Sequence, residues 1–359
     1  LIMNDDLNKL RRKIDNLDKD LVKILNKRAE LAKTIKKIKD SIGETDIFKP
    51  SREAQILRSL KKINKGPLLT QHLQSIYREI MSACLSLEKK LKVSCLGPEM
   101  SYSHDALIKF FGSSSEASYA HNISDVFRQV DNDVADYGIA PIENSTQGSV
   151  KETVENLVTT NLLINGEINL KVSHCLMSLS KNKKSIMKVY AHEQSFQQCE
   201  KWLMKYLPNA KLISTTSNSA AVKKVRNIKN AAAIGSVNSS NYYEIPIIHK
   251  NINDSSQNST RFIIISKAEP EISGDDKTSL LISLENKVGA LAKIIEPLSK
   301  NKISMSKIES IPTKKNNWEY MFLIDIEGHM SDIKIHKTLL EIERKSQFFR
   351  NLGSYPKSI

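Results

Sequence analysis

Leu7, Leu10, Ile14, Leu17, Leu21, Ile24, Leu31, Ile35 and Ile38 follow one another at steps of three and four residues, with one place skipped. That spacing lays apolar side chains along a single stripe of a long helix. Arg28 fills the skipped place, between Ile24 and Leu31. A guanidinium in an apolar stripe is costly unless an anion meets it, so Arg28 is a candidate anion ligand. Lys39 lies about three turns further on and projects from the same face. A helix from Asn4 to about Asp40 would be roughly 55 Å long, longer than a compact domain of that size is wide. Such a stripe needs a partner helix from a second chain. Two shorter helices should follow. One starts near Ser51 and carries Ile56, Leu57, Leu60 and Ile63. The other runs from about Thr70 to Leu91, with Cys84 and Glu88 one turn apart on the border of its stripe.

The chain has 359 residues, enough for two or three domains. With 40% hydrophobic and 26% charged residues it is not a disordered polymer. No apolar run approaches the roughly 20 residues that cross a bilayer. The first residues are polar, unlike a secretory signal, and Met3 reads as the natural start, with Leu1 and Ile2 upstream. Cys84, Cys95, Cys175 and Cys199 form no CxxC pair, which argues against a disulfide scaffold or zinc ribbon and for a reducing cytoplasm. The net charge of +14 suggests nucleic acid until it is divided. Residues 1–92 hold 22 basic and 12 acidic groups, whereas 93–272 hold 18 and 17. The basic segment has neither interleaved aromatics nor zinc-finger spacing. Its lysines belong to solvated helix faces, and a small polyanionic substrate suits the remainder better than nucleic acid.

From residue 93 short apolar strands alternate with amphipathic stretches. VSCLG (93–97), DYGIAPIEN (136–144), KVYAHE (188–193), KLIST (211–215), AAAIGS (231–236) and RFIIIS (261–266) read as strands, with helices near 103–111, 149–160, 195–206 and 218–228. This predicts α/β layers around a largely parallel sheet, with ligands beyond the strand C-terminal ends. The polar clusters SYSH (101–104), ENSTQGS (143–149), STTSNS (214–219) and NSTR (258–261) fall there. Any one of them would be ordinary capping chemistry; four together suggest two lobes offering hydroxyls to an anion. His104, His174 and His192 lack metal-ligand spacing and read as structural polar residues. After a polar, acidic linker at 268–276 come the strand TSLLISLE, a helix over 289–301, the strands SMSKIESI and WEYMFLIDIEG, and a helix over 331–346. Closed by a tail strand, that order predicts a small ferredoxin-like α+β unit.

Three sets of motifs resemble one family. LRRKIDNLDKDLVKILNKRAELA, KPSREAQIL and IYREIMSACLSLE resemble the chorismate mutase domain of bacterial bifunctional P-proteins. LGPEMSYSHDA, PIENSTQGSV, SHCL, VYAHEQSFQQC and STRF resemble their prephenate dehydratase domain. GALA (289–292) and, in part, ESIP (309–312) resemble motifs of the phenylalanine-sensing ACT domain. The resemblance implies an all-α mutase domain at 1–92, an α/β two-lobed dehydratase domain like periplasmic binding proteins at 93–270, and an α+β ferredoxin-like ACT domain at 271–359. For the mutase it implies Arg28, Lys39, Arg52, Glu53 and Glu88 as catalytic residues, Arg11 supplied by the other protomer, and Cys84 against the substrate. For the dehydratase it implies Thr260 as catalytic residue, a pocket shaped by Ser101, Asn144, Ser145, Gly148, Thr215 and Thr216, and Arg261 anchoring a carboxylate or the hinge. Phenylalanine would meet Gly289, Ala290, Leu291, Ala292, Glu309, Ser310 and Pro312. The implied enzyme is a cytoplasmic homodimer or higher oligomer. It converts chorismate to prephenate and then to phenylpyruvate, without metal or organic cofactor.

Those residue types suit the chemistry. The mutase step is a concerted rearrangement, so catalysis comes from holding a dianion compact and stabilising charge on its ether oxygen. Arginine clamps carboxylates in bidentate fashion, and Lys39 would donate to the ether oxygen. Five positions depart from the pattern: Cys84 replaces serine, Glu88 glutamine, Lys49 aspartate, Met100 glycine and Ile311 arginine. Glu88 donates only when protonated, which predicts a mutase favoured by mildly acid pH or a raised Glu88 pKa. The glycine at the place of Met100 suits positive φ or close approach. Ile311 predicts weaker or altered feedback. Two rival readings are a catalytically inactive amino-acid or prephenate sensor and a basic helical nucleic-acid binder.

Overall fold

The computed structural model describes residues 2–43, 48–180, 182–285, 287–312 and 320–359. It opens with α1 (Ile2–Ser41), α2 (Pro50–Ile63) and α3 (Thr70–Ser86). The stripe of α1 faces solvent: Leu17 is 68% and Ile24 65% exposed. Pro50 stands at the start of α2, where its missing N–H and fixed φ do no harm, and Leu57 and Leu60 pack on Met81 of α3. α3 stops at Ser86 rather than at the expected Leu91. Leu91 is drawn into the next core beside Val93, Phe111 and Ile139, so the chain leaves the helical path. Glu88 therefore sits in the turn after the helix instead of one helical turn above Cys84.

The first lobe of the next unit comprises β1 (Lys92–Leu96), α4 (Tyr102–Phe111), β2 (Glu116–Ala120), α5 (Ile123–Asp131), β3 (Tyr137–Asn144), β4 (Gly148–Ser149), α6 (Lys151–Thr159) and β5 (Leu163–Lys171). The chain then crosses to β6 (Cys175–Met177), β7 (Lys188–Ala191), α7 (Glu193–Gln198), α8 (Glu200–Tyr206), β8 (Lys211–Ser214), α9 (Asn218–Val225), β9 (Ala231–Gly235), α10 (Val237–Tyr243) and β10 (Ile247–His249). It returns as β11 (Ser259–Ser266). The two sheets have strand orders β2-β1-β3-β11-β5 and β10-β6-β9-β7-β8. The expected largely parallel sheet is in fact mixed. β11 re-enters from the second lobe and lies antiparallel between β3 and β5, and β6 runs antiparallel to β9. This register sets Thr260 opposite Asn144 and Arg261 opposite Glu143.

The last unit is β12 (Asp276–Ser283), α11 (Ala290–Lys300), β13 (Met305–Pro312), β14 (Tyr320–Glu327), α12 (Ile333–Lys345) and β15 (Phe348–Pro356). Its antiparallel sheet has the order β13-β14-β12-β15, the expected ferredoxin-like arrangement. Trp318 and Glu319, the expected start of β14, lie outside the described residues. Leu281, Leu323, Leu352 and Tyr355 share one core with Ile164 and Ile263 of the first lobe. Gly353 makes the approach of β15 to β5 possible, because a Cβ there would lie 2.4 Å from the Ile164 carbonyl oxygen. The expected linker is held rather than free. Arg58 of α2 donates to Ser273 Oγ at 2.8 Å and to the Asp275 carbonyl at 2.7 Å, and Lys49 pairs with Glu271 at 2.9 Å. Among the described residues no helix is long and apolar enough to cross a membrane.

Candidate active sites

In the helical unit the cationic groups of α1 meet the carboxylates of the other two segments. Burial pushes the Glu53 carboxyl up to about 7, against the opposing pull of Arg78 and Arg28. Burial also raises Glu88, against Lys39 and Lys36. Lys36 Nζ donates to the Glu88 carbonyl, whereas Glu88 Oε2 is buried with no hydrogen-bond partner among the described residues. Cys84 is buried, Arg28 and Lys39 are half-buried, and Arg52 is exposed. Arg11 is exposed on the far half of α1, about 25 Å along the helix from Arg28, so it is not part of this cluster within one chain. Arg78 and Lys36 escaped the sequence reading. Lys36 lies one turn before Lys39 and carried a spacing signal; Arg78 carried none.

The second site is a cleft of about 500 Å³ between the two lobes. All four polar clusters reach it, through Ser101, Asn144, Gln147, Gly148, Thr216, Ser217 and Thr260 among others. Helix starts explain part of this convergence. Ser101 caps α4 and Ser217 caps α9, so backbone N–H groups from both lobes point toward the cleft. The lobes are tied across it: Ser239 Oγ donates to the Met100 carbonyl at 3.1 Å and Tyr242 Oη to Glu99 at 2.8 Å. Met100 has φ 61°, the left-handed conformation that glycine takes without strain.

Thr260 is 9% exposed, and Asn144 Nδ2 donates to its Oγ1 at 2.9 Å. A hydroxyl that accepts in this way keeps its own hydrogen to give. Three expected cleft residues are placed differently. Ser145 Oγ bridges the Gln257 carbonyl and the Ser259 N–H, and Thr215 Oγ1 donates to the Ser217 carbonyl at 3.0 Å; both stitch loops together. Arg261, expected to anchor a carboxylate or the hinge, does not reach the cleft as a carboxylate anchor. Strand alternation turns it to the opposite face from Thr260, where it pairs with Glu167 at 2.8 Å and Asp325 at 2.7 Å and donates to Tyr355 Oη at 3.0 Å. It therefore joins the cleft strands to the last unit. Ser101 lines the cleft, but its hydroxyl donates to the Leu96 carbonyl at 2.9 Å.

In the last unit Gly289 begins α11 with φ 80°, Ala290 and Leu291 lean on the local core, and Ala292 and Ser310 are exposed. Glu309 accepts from Ser149 Oγ of the cleft hairpin and pairs with Lys307 at 3.2 Å, which also holds Glu143 at 2.9 Å. Ile311 packs into the core shared with the first lobe. The side chain of Pro312 lies outside the described residues. Among the described residues no cluster of His, Cys, Asp and Glu could hold a metal ion.

A helical unit rich in paired cations and carboxylates, a two-lobed hydroxyl-lined cleft and a ferredoxin-like unit on one chain define a multidomain enzyme of small anionic substrates. Comparison with known proteins makes this specific. Models of the type II chorismate mutase, prephenate dehydratase and ACT domain families match residues 10–89, 93–270 and 278–344 in turn. The bifunctional chorismate mutase/prephenate dehydratase of Aquifex aeolicus is 39% identical over 359 residues, covering 99% of each chain. Its Pseudomonas aeruginosa counterpart is 37% identical over 360 residues, again covering 99% of each. A prephenate dehydratase from Arthrobacter aurescens, solved in complex with L-Phe, is 28% identical with TM-score 0.68, covering 74% of this chain and 90% of its own. The chain belongs to the bifunctional chorismate mutase/prephenate dehydratase family and is an enzyme with both domains.

Proposed function

We propose that the chain, in three units at 1–92, 93–270 and 271–359, works in the cytoplasm as a homodimer that turns chorismate into prephenate and then phenylpyruvate under phenylalanine control. The exposed stripe of α1 is the surface on which the second copy packs, and the partner subunit's Arg11 completes the first site. There Arg28 joins that residue in clamping the two substrate carboxylates, and Arg52 helps to fix the ring end. Lys39 and protonated Glu88 donate to the ether oxygen as the carbon–oxygen bond breaks and the carbon–carbon bond forms. Glu53 holds the ring hydroxyl. The unpartnered Oε2 of Glu88 suits this role, since a buried carboxyl oxygen without a partner is costly unless a ligand supplies one.

In the cleft Thr260 donates a hydrogen bond to the departing ring hydroxyl. The ring carboxylate leaves as carbon dioxide, its bonding electrons enter the ring, and the departing hydroxyl, hydrogen-bonded by Thr260, takes a proton from solvent and leaves as water, so that Thr260 keeps its own hydrogen. The observation that carries this reading is the Asn144 Nδ2 to Thr260 Oγ1 hydrogen bond of 2.9 Å, which leaves the threonine hydrogen available to donate. The test follows chorismate loss and phenylpyruvate appearance in one tube. Thr260→Val is expected to lower the dehydratase about 100- to 1000-fold, the cost of a lost transition-state donor, while the mutase is kept. A Thr260→Val enzyme within tenfold of wild type would remove Thr260 from the mechanism.

A further inference from the structure

We infer that His174 is a positioning residue for the dehydratase step, holding the chain of side-chain amides that leaves the Thr260 hydroxyl hydrogen free. The inference rests on Thr260 being the donor proposed above. His174 is 1% exposed and lies where the chain crosses from β5 to β6. Its backbone is tied to the return crossing: Asn253 Oδ1 accepts its N–H at 2.6 Å, and its carbonyl accepts from Ile252 N–H at 2.9 Å.

The sense of the hydrogen bonds from Asn144 to His174 can be read from one end. The Thr146 backbone N–H can only donate, and it donates to Asn144 Oδ1 at 3.0 Å. The Asn144 amide nitrogen therefore faces Thr260 Oγ1 at 2.9 Å and Asn258 Oδ1 at 3.2 Å. With its oxygen so engaged, Asn258 turns Nδ2 toward Gln198 Oε1 at 3.0 Å. That same oxygen lies 2.8 Å from His174 Nε2, so Nε2 carries the hydrogen. Nδ1 is then an acceptor facing Tyr102 Oη at 2.9 Å, whose one hydrogen is shared between this nitrogen and the Ser173 carbonyl at 3.1 Å. No amide in the series can flip without setting donor against donor or acceptor against acceptor at a neighbour. The residues come from α4, the first lobe, both crossings and the second lobe, so the chain spans the hinge of the cleft. Burial lowers the His174 pKa, which favours the neutral imidazole with its single hydrogen on Nε2. Without that hydrogen, Gln198 loses the contact that holds its oxygen toward Asn258, and the donor set around Thr260 loosens.

The test measures kcat and KM for prephenate on the full chain, with mutase turnover of the same preparation reporting the fold. His174→Leu should lower kcat roughly 30-fold, a positioning effect below the full loss of a transition-state donor, with KM and mutase turnover close to wild type. His174→Gln restores an N–H toward Gln198 and should recover most of that loss. Tyr102→Phe should lower kcat by about threefold, and should add nothing in the double variant with His174→Leu, because the two act through one chain. A His174→Leu enzyme with unchanged kcat, or one whose loss lies in KM, would overturn the inference. So would multiplicative effects of Tyr102→Phe and His174→Leu. If His174→Leu loses mutase turnover as well, the milder pair His174→Gln and Tyr102→Phe decides by the same test of additivity. Failure of Thr260→Val to act would remove the donor reading itself. A strong Thr260→Val effect beside a silent His174→Leu would remove only the relay.

Discussion

Around Thr260 the donor, its neighbour Asn144 and the amides behind them all come from one chain and face one another at hydrogen-bond distance. Around Arg28 the arrangement is open: the helix that carries it exposes its apolar stripe, and Arg11 points to solvent far along the same helix. The cleft is preorganised by folding alone, whereas the helical site, its stripe exposed, is the one proposed to need a second copy. The difference follows from shape. Two lobes joined by paired crossings enclose a volume between them. A three-helix unit with one very long member cannot bury that member's stripe within itself.

Charging the stripe gives the largest expected break in this comparison. Leu17→Glu combined with Leu21→Glu should make the chain monomeric and lower the mutase about 100-fold or more, because an entire carboxylate clamp is lost. The dehydratase, self-contained in its cleft, should stay close to wild type. Sedimentation and the two assays at one protein concentration decide it, and a monomer with full mutase activity would mean that the helical site is complete in a single chain.

A smaller effect probes the helical site from inside. Burial is the main reason the Glu88 carboxyl is raised, with Lys39 and Lys36 opposing it, and the donor is its protonated form. Mutase turnover should therefore fall as pH rises through that raised value, and Glu88→Gln, a donor at every pH, should abolish the alkaline fall. Profiles from about pH 5 to 9 that are flat and identical in both proteins would sink the assignment. The dehydratase profile should not move in Glu88→Gln.

The smallest expected change concerns the contact between the cleft and the last unit. Ile311 packs into the shared core beside a strand whose Lys307 and Glu309 touch Glu143 and Ser149 of the cleft strands. Ile311→Arg should alter phenylalanine inhibition of the dehydratase by a few-fold at most, an energy of about 1 kcal/mol, and leave the mutase in its absence unchanged. An inhibition curve that superimposes on wild type would show that Ile311 does not set the feedback.

Much of this was legible along the chain. The heptad spacing announced α1 and its apolar stripe, which lies exposed in the single chain. The four polar clusters announced the cleft, and the motif strings announced the order of the three units. Most of what failed did so for tertiary reasons. α3 ended early because Leu91 was wanted by another core. The sheets were mixed because β11 returned from the second lobe, which no local pattern records. α5 was overlooked although Ile123, Val126, Phe127 and Val130 mark its buried face.

Periodicity, capping residues and motif order are properties of neighbours in sequence, so the chain by itself determined its elements, their sequence and the chemistry each unit can hold. Facing is a property of neighbours in space. Only the tertiary structure decided that Thr260 looks into the cleft while Arg261, one residue on, is spent on Glu167 and Asp325. Only it brought Tyr102, His174, Gln198, Asn258 and Asn144 into a single sense of hydrogen bonding, because these residues meet where two lobes and two crossings come together and nowhere along the sequence.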